Sequence, residues 1–159
     1  RIGFLVTAGV IDSMVNHYTA AKKKRSEDAY APGGRAGYRP DRATAVYSNR
    51  IREAYGSVPI IIGGVEASLR RFAHYDYWDD AVHPSVLISS SADLLMYGMG
   101  EKHICEIAHR LNNGENLSSL TDIKGTCYKV KASEYIPISG AKECPSFEMI
   151  KEPDEKSKK

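Results

Sequence analysis

Cysteine is scarce in this chain of 159 residues. There are three, Cys105, Cys127 and Cys144, and no Cys-x-x-Cys pair. That number and spacing exclude a disulfide framework or a zinc ribbon, and they predict reduced thiols in a cytoplasmic protein. An excess of one charge is also missing. With 22 Lys plus Arg against 20 Asp plus Glu, the formal net charge is +2 and the pI is near 8.4. This is far from the basic surplus of a phosphate-backbone binder, so no nucleic-acid partner is expected. No apolar run approaches the ~18 residues of a membrane span, the cleanest being 58–62, so no membrane partner is expected either. With 42% hydrophobic residues the chain can still bury the core of one ordinary domain. Arg1 lies inside a strand-like run with no initiator Met, and 151–159 is a charged segment without apolar residues. Both ends predict a piece of a longer protein.

The apolar run at 2–7, ending at Ala8-Gly9, predicts a buried parallel strand. Asp12 or Ser13 then caps a short helix through Met14, Val15 and Tyr18. Residues 22–40 carry turn formers and no periodicity, which predicts a long exposed loop. Ala43, Val46, Tyr47, Ile51 and Ala54 share one face of a helix opened by Asp41 and stopped by Gly56. A strand at 58–62 turns at Gly63-Gly64 into a short helix over 65–72, and 74–80 reads as an aromatic and acidic loop. An edge strand is expected at 85–88 and a central strand at 93–97. Gly98-Met99-Gly100-Glu101 leads into a helix whose Ile104, Ile107, Ala108 and Leu111 line one stripe, closed by Gly114. Residues 126–131 and 134–138 are expected to form a hairpin across Ala132-Ser133.

Alternating β and α units give the fold class: α/β, Rossmann-like (flavodoxin-like), a mostly parallel sheet flanked by helices, with a C-terminal β appendix. Three good parallel strands are fewer than a doubly wound domain normally has, so the sheet is expected to be incomplete at its N-terminal side. The domain is expected over 1–140, with 141–159 a charged linker.

In such sheets ligands bind beyond the carboxyl ends of the strands. Those ends carry Gly9, Gly63 and Gly64, and Gly98 and Gly100 followed by Glu101. Glycine lets the backbone approach a ligand, and the following helix offers N–H groups to an anion. The competing reading is that these glycines only shape tight turns. Neither a complete dinucleotide fingerprint nor a P-loop is present. His74, Asp76, Asp79, Asp80 and His83 have the residue types of a metal site, but they match no ligand spacing and read as a solvated loop. His17, His103 and His109 read as unremarkable, and Cys105 as a small buried or half-buried hydrophobe. Arg35, Arg39 and Arg42 with 22–25, and Arg70 with Arg71, read as solvated or interdomain surface.

Four segments occur in order: Val6-Thr-Ala-Gly-Val-Ile-Asp-Ser-Met-Val-Asn-His-Tyr-Thr19, Arg39-Pro-Asp-Arg-Ala-Thr44, Gly63-Gly-Val-Glu-Ala-Ser-Leu-Arg-Arg71 and His74-Tyr-Asp-Tyr-Trp78. Together they resemble the N-terminal region of YgiQ-type radical SAM proteins, over about residues 1 to 127. The resemblance implies that the parent holds a [4Fe-4S] cluster through Cys-x-x-x-Cys-x-x-Cys and cleaves S-adenosylmethionine to a carbon radical. None of the three cysteines here has that spacing, so the cluster is expected downstream, in a radical SAM domain that is this domain's partner. More distantly, Gly63-Gly64 and Gly98-x-Gly100-Glu101 resemble the cobalamin-binding domain ahead of many radical SAM barrels. That likeness makes Gly63, Gly64, Gly98, Gly100 and Glu101 cofactor-site candidates. The Asp-x-His-x-x-Gly motif supplying a lower cobalt ligand in one cobalamin class is absent. The alternative function is an interaction module that binds no small molecule, suggested by the basic loop and by Tyr75, Tyr77 and Trp78. A metal hydrolase rests only on the 74–83 cluster.

Overall fold

The computed structural model describes residues 2–152. In chain order the elements are β1 (Phe4–Val6), α1 (Ser13–His17), α2 (Ala43–Tyr55), β2 (Ile60–Ile62), α3 (Gly64–Leu69), β3 (His74–Asp76) and β4 (Ala81–His83). They continue with α4 (Val86–Ser89), β5 (Leu94–Met96), α5 (Glu101–Asn112), β6 (Thr126–Tyr128) and α6 (Phe147–Lys151). A four-stranded sheet runs β1-β2-β5-β6, with β1, β2 and β5 parallel and β6 antiparallel against β5. β3 and β4 form a separate antiparallel hairpin. The fold is therefore the α/β, mostly parallel arrangement that the alternation of elements predicts.

Register explains the two cores. Phe4 pairs with Ile60 and Val6 with Ile62, and side chains alternate between faces along each strand. Val6, Ile60, Ile62 and Leu95 therefore share one face, which Ala67 of α3 and Val86 and Leu87 of α4 cover, with Tyr47 and Ile51 of α2. Ile61 and Leu94 point to the other face, under Ile107 of α5 and Leu117, Leu120 and Ile123. A central strand buried on both faces has to be apolar throughout, which is why β2 reads Ile-Ile-Ile. Leu5, in register with Ile61, is 61% exposed because α5 does not extend over the edge strand β1.

Several elements differ from expectation. The run at 85–88 forms a helical turn, α4, and not an edge strand, because Ser85 caps it by accepting the Leu87 N–H on its hydroxyl. The expected hairpin at 126–138 is absent. β6 pairs with β5, residues 132–134 form a 3-10 turn, and Ile136 and Ile138 are exposed. Residues 74–80 are not a plain loop but enter the β3–β4 hairpin. Within the expected linker, α6 forms, capped by Ser146, and packs beside β4; residues 153–159 of that linker lie outside the described residues.

The glycines at strand ends carry different loads. Gly64 has φ +81°, and a Cβ there would stand 3.3 Å from the Thr7 Cβ; Gly98 has φ +72° with nothing within 4 Å. A left-handed conformation costs an L-residue about 1–2 kcal/mol. Gly98→Ala is expected to lose about that much in urea unfolding, and Gly64→Ala measurably more. Equal losses would contradict the close approach of β1 and β2 turns.

Candidate functional site

Because β1, β2 and β5 are parallel neighbours, their carboxyl ends form one rim. The candidate residues gather there: Gly9 after β1, Gly63 and Gly64 after β2, and Gly98, Gly100 and Glu101 after β5. The turns pack on one another. Gly63 donates its N–H to the Val6 carbonyl, and a Cβ on it would sit 3.4 Å from the Met96 carbonyl oxygen. A Cβ on Gly100 would strike the Met96 side chain at 2.7 Å, and one on Gly9, whose φ is +101°, would lie 3.2 Å from an Arg39 nitrogen. A positive φ together with a close neighbour accounts for glycine at Gly9 and Gly64 without any ligand, and the Thr7 methyl and the Met96 thioether lie between the turns. The five imidazoles lie elsewhere: His17 on Asp41, His74 stacked on His83, His103 against Gly125, and His109 exposed late in α5.

Over the β1 side of the rim stands a roof of buried polar side chains, of which the sequence marked Asp12 and Ser13 as caps and took Arg39, Arg42 and Arg70 for surface. Asp12 caps α1 by accepting the Met14 and Val15 N–H groups on Oδ1, and its other oxygen takes Arg70 Nη1. Glu66, 2% exposed, accepts from the Ser13 N–H (2.8 Å) and hydroxyl (2.6 Å) and from the Thr44 N–H (2.9 Å). The Ser13 hydroxyl in turn accepts the Ala43 N–H. The opening N–H groups of α1 and α2 therefore already have acceptors inside the protein, and the anion expected at the helix after β1 is supplied by Asp12 and Glu66.

The long loop is tied down as well. Arg39 forks onto both oxygens of Asp28 and donates to the Ala8 carbonyl at 2.9 Å; its side chain is largely buried, not solvated. Arg42 holds Asp76 at 3.0 Å and Asp79 at 2.6 Å and is half-buried. These two pairs compensate charges that could not otherwise be taken from water. Arg42 adopts φ +51° at the start of α2, a conformation uncommon outside glycine, held by the two carboxylates. The hairpin braces the loop through the Tyr77 hydroxyl on the Ala20 carbonyl, Lys22 on the Trp78 carbonyl, and the Tyr18 ring 5.3 Å from Trp78. Of the loop's arginines, Arg25 and Arg35 remain exposed.

Ligand atoms of Asp76, Asp79 and His83 do lie within 4.8 Å of one another. Arg42 already neutralises both carboxylates, so the trio forms an ion-pair cluster in which a cation would have to displace a guanidinium. Asp80 is engaged by the Tyr75 hydroxyl. No cysteine joins a group of three ligands among the described residues. Cys105 and Cys144 are exposed, correcting the buried reading of Cys105, and burial pushes the half-buried Cys127 thiol up in pKa.

Burial alone would raise the carboxyls of Asp28 and Asp76. For Asp28 the Tyr30 N–H, Asn16 and Arg39 outweigh it, and for Asp76 Arg42 and the Trp78 and Asp79 N–H groups do, so both stay below the ordinary carboxylate value. In the unfolded chain they return to about 3.9. The folded state therefore binds fewer protons, and this stability is present above the unfolded value and lost as pH falls through the folded ones. In urea unfolding between about pH 5 and about pH 2.5, Asp28→Asn is expected to show a shallower acid decline than the wild type. Parallel declines would contradict the Arg39 clamp.

A family model described as Radical SAM N-terminal matches residues 1–159. Among similar proteins, a UPF0313 protein of Clostridium botulinum is 57% identical over 150 residues, covering 94% of this chain and 23% of that protein. One of Geobacter sulfurreducens is 53% identical over 150 residues, covering 94% and 25%, and one of Clostridium perfringens is 61% identical over 128 residues, covering 80% and 19%. The chain spans about a quarter, or less, of the length of these curated relatives. No solved structure matches. No described helix is long and apolar enough to cross a membrane. Matched from end to end by that model, the chain belongs to the radical SAM N-terminal family, the N-terminal part of a larger protein.

Proposed function

We propose that this chain is an accessory domain of a radical SAM iron–sulfur protein, that its glycine rim docks against the parent's own catalytic core, and that the chain is catalytically silent by itself. The observation that carries the reading is a collar of uncovered apolar side chains. Each turn at the rim presents one: Val10 after β1 (70% exposed), Val65 after β2 (48%) and Met99 after β5 (84%). Leu69 extends the collar one helical turn beyond Val65. Water-exposed apolar groups gathered where a parallel sheet usually meets its ligand are the mark of an interaction surface. Because Thr7 and Met96 lie between the turns beneath, a docking role is favoured over a cofactor cradle, and cobalamin has no role in this reading.

The parent, in this reading, holds the [4Fe-4S] cluster and S-adenosylmethionine on residues outside this chain. Cys105, Cys127 and Cys144 belong to no common ligand group here. Reduced thiols and an oxidation-sensitive cluster together suit the reducing cytoplasm.

The test uses the intact parent, reconstituted anaerobically with iron and sulfide. A visible charge-transfer band and bound iron are expected, both unchanged in the triple variant Cys105→Ser, Cys127→Ser, Cys144→Ser. A parent without a cluster, or a triple variant that loses it, would overturn the assignment. Val10→Asp with Met99→Asp is expected to release this domain to earlier proteolysis without loss of iron. An unchanged cleavage pattern would remove the docking role.

A further inference from the structure

A second site lies away from the rim, between α1 and the long loop. His17, the last residue of α1, has a side chain only 9% exposed. Its Nδ1 stands 2.8 Å from Asp41 Oδ1, while the Tyr18 hydroxyl donates to Asp41 Oδ2 at 2.6 Å. A carboxylate only accepts, so Nδ1 carries the proton of this bond. Nε2 is buried and has no hydrogen-bond partner. Buried polar atoms are nearly always paired, and a packed imidazole held by an Asp–Tyr pair yet left open at its other nitrogen needs a reason.

His17 lines a cleft of about 260 Å³. An adjoining cleft of about 630 Å³ shares Asn16, Lys24, Arg25 and Glu27 with it and adds an apolar wall from Ile11, Val15 and Ala29. The other cations of the roof are committed: Arg39 to Asp28, Arg42 to Asp76 and Asp79, Arg70 to Asp12. Those at this cleft are not. Arg25 uses Nε on the Tyr18 carbonyl, and neither its terminal nitrogens nor Lys24 Nζ makes an ion pair or hydrogen bond among the described residues. Lys24 acts on Asp41 through space, and the opposing charges facing the cleft are Glu27 and Asp41.

We propose that this cleft binds a small oxyanion, a phosphate or a carboxylate carried on a partly apolar body, held by Lys24 and Arg25 with His17 Nε2–H as the buried donor. In the bound state Asp41 keeps the hydrogen bond from Nδ1–H and a ligand oxygen accepts one from Nε2–H, so both ring nitrogens are satisfied. Asp41 is suited to this. Burial would raise its carboxyl, but hydrogen bonds from Tyr18 and His17 outweigh that and keep it ionised well into acid. The site is independent of the iron–sulfur reading, since none of its residues belongs to the rim or to a cysteine ligand set.

Equilibrium dialysis of the intact parent against inorganic phosphate, and separately against malonate, tests the proposal. Saturable binding of at least one is expected, showing which oxyanion the cleft prefers. Lys24→Ala with Arg25→Ala, both exposed and safe for folding, is expected to weaken it tenfold or more. His17→Asn keeps an amide on Asp41 but removes Nε2, whereas His17→Gln places an amide near Nε2. The Asn variant should lose several-fold in affinity, with the Gln variant retaining more. No saturation by either probe, or saturation unchanged in both the Lys24/Arg25 and His17→Asn variants, would overturn the site. Measuring bound iron in the same samples separates its failure from that of the iron–sulfur assignment.

Discussion

One buried carboxylate organises the upper half of this domain. Glu66 sits in the first turn of α3, 2% exposed, with hydrogen-bond donors from α1 and α2 on its two oxygens. An ionised group can stay out of water only if its lone pairs are met by well-placed donors, and here helix N-termini provide them. The arrangement serves both sides. α1 and α2 each leave opening N–H groups without partners inside the helix, and Glu66, with Asp12 and the Ser13 hydroxyl, supplies the acceptors. Three short or isolated helices that would be marginal alone are pinned at one point above the carboxyl ends of β1 and β2.

From that point the rest of the roof follows. With α2 fixed at Ala43 and Thr44, Arg42 just before it reaches the hairpin at Asp76 and Asp79, and Asp41 reaches back to His17 and Tyr18. The hairpin then holds the long loop by Tyr77 and Trp78. The loop closes on the first rim turn through Arg39 and the Ala8 carbonyl. A chain with few long elements is thereby ordered by a sequence of charge-assisted contacts, and the apolar sheet below needs only two small cores. What remains unsatisfied stands out against this background: an apolar collar on the rim, and the Lys24–Arg25–His17 cleft. One suits a large surface, the other a small anion.

The sheet was legible in the sequence because strands of a parallel sheet are short apolar runs, and those within 2–7, 58–62 and 93–97 are each followed by a glycine turn. The rim followed from parallel order. Beyond the cap at Asp12, the roof was not legible, for physical reasons. Glu66 has the ordinary position of an acid in a helix's first turn, and nothing local marks it as buried. Arg39 and Asp28 are eleven residues apart in a loop without periodicity, so composition suggested a solvated basic surface where the structure has closed pairs. Val86-Leu-Ile reads as β-prone, yet with Ser85 able to cap it the segment takes a helical turn. Thr126–Tyr128 alternates as a strand should, but its partner is β5, a long-range choice that spacing alone cannot reveal. The pairing of Asp41 with His17 was likewise hidden, although an Asp one residue after the Arg39-Pro40 boundary and a His at the end of a capped helix were both visible.

The account stands most directly on Glu66, and Glu66→Gln tests it with almost no change in shape. The amide nitrogen can only donate, so it must face Thr44 N–H or Ser13 N–H, each itself a donor. Equilibrium urea unfolding is expected to show a loss of about 3 kcal/mol, with faster hydrogen exchange at the Ser13 and Thr44 amides and little change at Ile61 in β2. A loss below about 0.5 kcal/mol, the range of an ordinary surface substitution, with exchange at Ser13 and Thr44 unaltered, would contradict it.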